Sequence, residues 1–210
     1  MLCEIIYSLQ PEHLSSYLKS MRVIAGSHRG RRLSGPEGNA LRPTSDKVRG
    51  ALFSILGTQI SGSRFLDLYA GTGAVGIEAL SRGASAVTFV ESDPKAVQLL
   101  RKNLMTCQLL DRSQVWTERT ASFLDHKDRW GGPYDVLFAD PPYADLNELD
   151  IMIHVWRPGL LSERATVIIE QEAHAELPPT IGPATLVRRY QYGDTALYLY
   201  GMSTSESTAS

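Results

Sequence analysis

The sequence predicts an α/β protein, with one mostly parallel sheet covered by helices on both faces and finished by an antiparallel hairpin. Three observations carry this reading. From Arg64 to Gln171, short apolar runs alternate with stretches of helical spacing. The runs RFLDLYA and YDVLFAD are nearly continuous in apolar residues, as in strands buried on both faces. Near the end, LVRRYQY and TALYLY flank Gly193-Asp194, a two-residue hairpin signal.

The elements follow in order. MRVIAG (21–26) reads as a short strand, and a Gly/Pro-rich loop, GPEGNALRP, comes after SHRGRRL. Thr44 or Ser45 can cap a helix over about 46–59, where Val48, Leu52, Ile55 and Leu56 fall at helical spacing. RFLDLYA is the first strand of the alternating region. Gly71-Thr-Gly73 turns it into a helix over 74–82, closed by Gly83. AVTFVES is the next strand, and Asp93-Pro94 caps and starts a helix to about Cys107. QVWTER, YDVLFAD and ATVIIEQ are further strands, with helices expected over 121–128 and 146–156. The polar end, STSESTAS, has no apolar pattern to pack and is expected to be disordered.

Composition excludes several classes. The chain has 210 residues, 43% hydrophobic and 21% charged, with a net charge of −2. That fits one globular domain and no polycation. Charge is uneven, however. Seven basic residues lie between Met21 and Gly50 (Arg22, Arg29, Arg31, Arg32, Arg42, Lys47, Arg49), opposed only by Glu37 and Asp46. Such an arm suits a polyanion held at one place. Two cysteines without a CxxC pair, and five histidines without ligand spacing, argue against a disulfide framework or metal site and suit a cytoplasmic protein. No run approaches membrane-spanning length, and residues 1–20 make a poor secretory signal.

Two motifs carry chemistry. Asp67-Leu-Tyr-Ala-Gly71-Thr-Gly73-Ala-Val-Gly76 places GxGxxG directly after a strand, the pattern of an adenosine-ligand site. Glu91 ends the following strand, where an acid can hold ribose hydroxyls, while Asp93 is better used as a helix cap. NAD and S-adenosylmethionine both suit this arrangement. Asp67 favours the latter: its charge suits the methionine ammonium, and amides near Gly71 and Gly73 suit the carboxylate.

The second motif is Asp140-Pro141-Pro142-Tyr143, at the end of an apolar strand. It falls on the same sheet edge as the glycine loop. An exocyclic amine is a weak nucleophile because its lone pair is delocalised into the ring. Two acceptors aimed at its N–H bonds pull the nitrogen toward a tetrahedral shape. Asp140 supplies one and a main-chain carbonyl, that of Pro141, the other. The prolines stiffen the backbone and offer no competing donor. Tyr143 can stack on an extruded base.

With MRVIAGSHRGRRL and LRPTSDKVRGALFSIL ahead of DLYAGTG, VES and DPPY, the chain resembles the RsmD family of bacterial 16S ribosomal RNA guanine-N2 methyltransferases over about residues 21–200. The resemblance implies a Rossmann-like seven-stranded methyltransferase sheet with a small N-terminal strand–loop–helix extension, and S-adenosylmethionine as cofactor. It implies cofactor contacts from Asp67, Tyr69, Ala70, Gly71, Thr72, Gly73, Glu91 and Ser92, with Asp140 to Tyr143 holding the guanine. It further implies RNA contacts from Arg29, Arg31, Arg32, Arg42 and Thr44. Where such enzymes often place Asp or Asn before a small residue, this chain has Arg119-Thr120, so a backbone carbonyl or another residue has to serve the adenine amino group, and Thr120 stands as a further cofactor-contact candidate. The implied domains are an extra segment (1–20), an RNA-binding extension (21–62), the methyltransferase domain (63–201) and a tail (202–210). The implied partner is 16S rRNA in a small-subunit particle, met by a monomer. DNA adenine-N6 or protein glutamine methylation is the alternative, since DPPY suits any planar nitrogen. An NAD-dependent oxidoreductase would leave DPPY unused.

Overall fold

In the computed structural model, the described residues are 21–35, 45–142 and 152–202. Their centre is one sheet of eight strands: β1 (Arg64–Leu68), β2 (Ala86–Glu91), β3 (Ser113–Thr117), β4 (Tyr134–Ala139), β5 (Leu161–Glu172), β6 (Thr180–Ile181), β7 (Ala184–Tyr192) and β8 (Thr195–Met202). The strand order is β3-β2-β1-β4-β5-β8-β7-β6. Strands β1 to β5 are parallel, and β8 enters antiparallel to β5. The expected seven strands are therefore present, with one more. β6 is two residues long and folds back on β7 around Gly182-Pro183, too short to leave a pattern in sequence.

Four α-helices are described: α1 (Asp46–Leu56), α2 (Ala74–Ser81), α3 (Pro94–Cys107) and α4 (Thr120–Asp125). Ser45 caps α1 by accepting the Val48 amide, and Asp93 caps α3 by accepting the Lys95 amide. α1 stops at Gly57 (φ 52°), earlier than expected, and a 3-10 turn over Gly57–Ile60 follows. α4 likewise ends at Asp125, before a separate 3-10 turn. Of the helix expected over 146–156, only residues from Met152 are described, and His154–Trp156 is a 3-10 turn.

Side chains alternate across the strands, as the pleat requires. Phe65, Val136 and Phe138 join one apolar cluster with α1, α2 and α3. Leu66, Leu68, Leu137 and Ala139 join the other with Phe123 and Leu124 of α4.

The expected strand over 21–26 is instead one limb of a short antiparallel arm, with a single bridge between Arg22 and Arg32. Val23 donates to Arg31 and Leu33 donates to Met21, but the Ile24 and Ala25 amides point the other way, to Glu78 of α2. A segment whose amides are taken by a side chain cannot extend a ladder. Val23 and Leu33 from this arm are buried in the same cluster as α2 and α3.

Candidate functional site

The sheet register builds the site. Leu68 pairs with Val90 of β2 on one side and with Ala139 of β4 on the other. The next residues along the three strands are Tyr69, Glu91 and Asp140. They open together on the carboxyl edge, where open α/β sheets bind ligands. β1 stops because Tyr69 adopts φ 60°. That conformation costs a non-glycine residue about 1–2 kcal/mol, and such strain clusters at functional sites.

The glycine loop follows Tyr69 and is held by acids. Glu91 accepts the Gly71 amide on Oε2 and the Asp93 amide on Oε1, each at 2.7 Å. A carboxylate can accept about four hydrogen bonds, so Glu91 retains capacity for ribose hydroxyls. Asp67, 1% exposed, accepts the Gly76 amide at 2.9 Å. The Gly73 amide donates to Ala70. The amides of Gly71 and Gly73, read in sequence as partners for the cofactor carboxylate, thus already have acceptors within the protein.

Packing explains the glycines. A Cβ on Gly73 (φ 77°) would lie 2.0 Å from Leu100 Cδ1, and one on Gly76 would lie 2.2 Å from Phe89 Cε1. Only glycine lets α2 approach β2 and α3 this closely. Thr72 is buried at the middle of the loop. Its carbonyl accepts from Asn103 Nδ2 at 3.0 Å and its hydroxyl meets Met21 Sδ at 3.6 Å.

Asp140 follows β4 and is half-buried; Pro141 is buried and Pro142 exposed. Tyr143 lies outside the described residues. Loss of solvent around Asp140 pushes its carboxyl up to about 7. Burial also raises Asp67 well above the ordinary carboxyl value; the Gly76 amide opposes that shift, and the nearby charges of Asp140 and Glu91 add to it. Two neighbouring carboxylates that raise the cost of ionising Asp67 suit a ligand bearing positive charge.

The remaining cofactor positions are divided. Ser92 is exposed beyond β2, and Thr120 is buried as the first residue of α4. Sequence reasoning passed over Glu118. Its backbone amide donates to the Glu91 carbonyl, which sets the two residues side by side. Its Oε2 is held by Arg129 and Ser122, while Oε1 is buried without a hydrogen-bond partner among the described residues. A buried acceptor left open is costly unless something donates to it. The only signal in sequence was its place just after a strand.

Arg29, Arg31 and Arg32 are exposed, and Arg31 donates to the Thr106 carbonyl near the end of α3. Arg42 and Thr44 lie outside the described residues. Arg49, counted in sequence with the basic arm, is fully buried and donates to the Arg22 carbonyl and to Asp46. It serves the fold rather than a polyanion. Among the described residues there is no group of three or more side chains that could hold a metal ion, and no helix long and apolar enough to cross a membrane.

Residues 21–201 match the family described as Conserved hypothetical protein 95. The chain is similar to ribosomal RNA small subunit methyltransferase D of Escherichia coli K12, with 36% identity over 192 residues, covering 91% of this chain and 93% of that protein. It is similar to the protein of the same name from Haemophilus influenzae, with 36% identity over 185 residues, 86% of this chain and 93% of that one. Among solved structures it resembles the Escherichia coli protein yhhF, described as a methyltransferase, with a TM-score of 0.77 and 36% identity over 87% of this chain and 98% of that chain. With the motifs, the sheet order and these relatives in agreement, the chain belongs to the RsmD family.

Proposed function

We propose that this protein transfers a methyl group from S-adenosylmethionine to the exocyclic N2 of a guanine in 16S ribosomal RNA. The observation that carries the reading is the placement of Asp140 on the same sheet edge as the glycine loop and Glu91. S-adenosylmethionine supplies the electrophilic sulfonium methyl. Glu91 accepts from the ribose, and Glu118 Oε1 is matched to a donor such as the adenine amino group, a contact for which the sequence offers no acid at Arg119-Thr120. Tyr69, Ala70, Gly71, Thr72, Gly73 and Ser92 line the cofactor's path. The carboxyls of Asp67, Glu91 and Asp140 meet at the site, and a cationic cofactor would favour the ionised forms that burial disfavours at Asp67 and Asp140.

Asp140 and the Pro141 carbonyl accept the two N–H bonds of the target amine, and Asp140 is placed to take its proton. A carboxyl raised to about 7 is matched to proton transfer near neutral pH. Tyr143 stacks on the guanine. Arg29, Arg31, Arg32, Arg42 and Thr44 hold RNA phosphates, so that RNA shape is read. The substrate is a small-subunit particle in the cytoplasm, met by the protein as a monomer. The basic arm and the names of the relatives favour RNA over DNA adenine or protein glutamine.

Calorimetry provides the first test. S-adenosylmethionine is expected to bind and NAD is not; the reverse would overturn the assignment. Complementation provides the second. Asp140→Ala is expected not to restore 16S methylation in a deletion strain, and full restoration would sink the role given to Asp140.

A further inference from the structure

The basic arm and the cofactor loop are physically joined, and the joint is Asn103. This side chain sits on α3 at 1% exposure. Its Oδ1 accepts the Ser34 amide at 2.7 Å, and its Nδ2 donates at 3.0 Å to both the Ser34 and Thr72 carbonyls. One amide group therefore links the last described residues of the arm to the centre of Gly71-Thr-Gly73. A second tie runs in parallel: Met21, whose carbonyl accepts the Leu33 amide, meets the Thr72 hydroxyl through its sulfur. Thr72 is thus held at its carbonyl and its hydroxyl by groups that also hold the arm.

The rest of the arm is fixed to the helix that leaves the loop. Glu78 accepts the Ile24 and Ala25 amides, the Ser81 hydroxyl donates to the Ala25 carbonyl, and the Ser81 carbonyl accepts the Ser27 amide. A Cβ on Gly26 would fall 1.8 Å from the Ser81 carbonyl oxygen, so the arm lies directly on the helix backbone. The exposed cations Arg29, Arg31 and Arg32 are carried between these anchor points.

We propose that Asn103 is a positioning residue that couples RNA engagement by the arm to cofactor affinity at the glycine loop. RNA that fixes the arm also fixes Ser34, and through Asn103 it fixes the Thr72 carbonyl and the loop around it. Cofactor binding that orders the loop favours the same arm position. The coupling is reciprocal, as any linkage between two binding sites must be. The proposal rests on reading the glycine loop as the cofactor loop and the arm as the RNA contact.

Calorimetry with S-adenosylhomocysteine, in the absence and presence of small ribosomal subunits that lack the methylation, tests it. The full chain, Asn103→Leu and Ser34→Pro are compared after melting curves have shown which variants fold. Ser34→Pro removes the amide hydrogen that Asn103 Oδ1 accepts, together with the Ser34 hydroxyl and the freedom of φ there, and leaves the Nδ2 bonds, so it weakens the tie and keeps the test open if Asn103→Leu does not fold. In the unaltered protein, subunits are expected to tighten binding by about fivefold or more. In folded Asn103→Leu this enhancement falls toward onefold and in folded Ser34→Pro it falls in part, while the affinity for subunits alone changes less than twofold. Failure of the unaltered protein to bind S-adenosylhomocysteine would defeat the functional reading itself. Normal binding with the same enhancement in every folded variant, or with none in the unaltered protein, would defeat the coupling alone.

Discussion

In the proposed reaction Asp140 serves as an acceptor for the amine and as a base at neutral pH, and partial burial suits both roles. Its folded value, about 7, stands above the 3.8 of an ordinary Asp. Between those values the folded carboxyl keeps a proton that the unfolded chain has lost. This group's contribution to stability is therefore full below pH 3.8 and declines as pH rises toward 7. Asp67 is shifted in the same direction and adds to the trend. We expect the cofactor-free protein to gain less from a rise in pH over this window than its Asp140→Asn variant does, as read by melting temperature. Activity should run the other way, with kcat/KM rising as pH passes about 7 because the ionised carboxylate is the working form. Asp140→Asn keeps an acceptor and should retain measurable activity with that limb flattened. Asp140→Ala should lose about 10²- to 10³-fold, the effect of removing one group aimed at developing charge. A pH–rate profile of both variants checks this. The places of Asp140 and Glu91 and the capping role of Asp93 were legible in sequence because each ends a strand or starts a helix. Glu118 and Asn103 were not, since their meaning comes from partners 11 and 69 residues away.

The glycine loop and the arm show how elements are specified. Gly73→Ala would force a Cβ against Leu100 at a φ of 77°. Overpacking of that kind costs about 1–3 kcal/mol, and the cofactor should bind more weakly because α3 or the loop must shift. Thermal melting and calorimetry together read both effects. Glu78 is buried with Arg49 4.0 Å away and Arg82 bonded to it at 2.6 Å, and it also accepts two arm amides. Glu78→Ala leaves Arg49 buried without this carboxylate, so we expect a loss of about 3–5 kcal/mol, measurable by denaturant unfolding. The long elements were legible from period and caps: the Asp93-Pro94 start of α3 is where the sequence put it. The failures share a cause. MRVIAG looks like a strand because Val23 and Ile24 are β-branched, yet its Ile24 and Ala25 amides go to Glu78, a residue more than fifty positions away. β6 is two residues of pairing that only the neighbouring β7 makes into a strand.

At the scale of the described molecule, three carboxyls meet at the sheet edge where a cationic cofactor is expected, and Arg22, Arg29, Arg31 and Arg32 are exposed together on the arm. If the arm arginines hold RNA phosphates as proposed, removing one should lower the salt dependence of RNA binding by about 1 in log–log slope. Arg29→Ala and Arg32→Ala should each show this without loss of fold. Arg49→Ala should instead unfold the protein, because that guanidinium is buried within the core network. The parallel order and the antiparallel finish were legible in sequence because buried parallel strands are apolar throughout and the hairpin carries its own turn residues. The division at residue 62 was an expectation from motif order alone; Val23, Leu33 and Leu52 share one apolar cluster with Ile77 and Phe89 across that line. The most direct measurement is to incubate the protein with labelled S-adenosylmethionine and either unmethylated small subunits or naked 16S RNA, then separate the nucleosides by mass spectrometry. The account predicts labelled N2-methylguanosine. A protein that binds S-adenosylmethionine yet leaves no methylated guanosine in either substrate would contradict it.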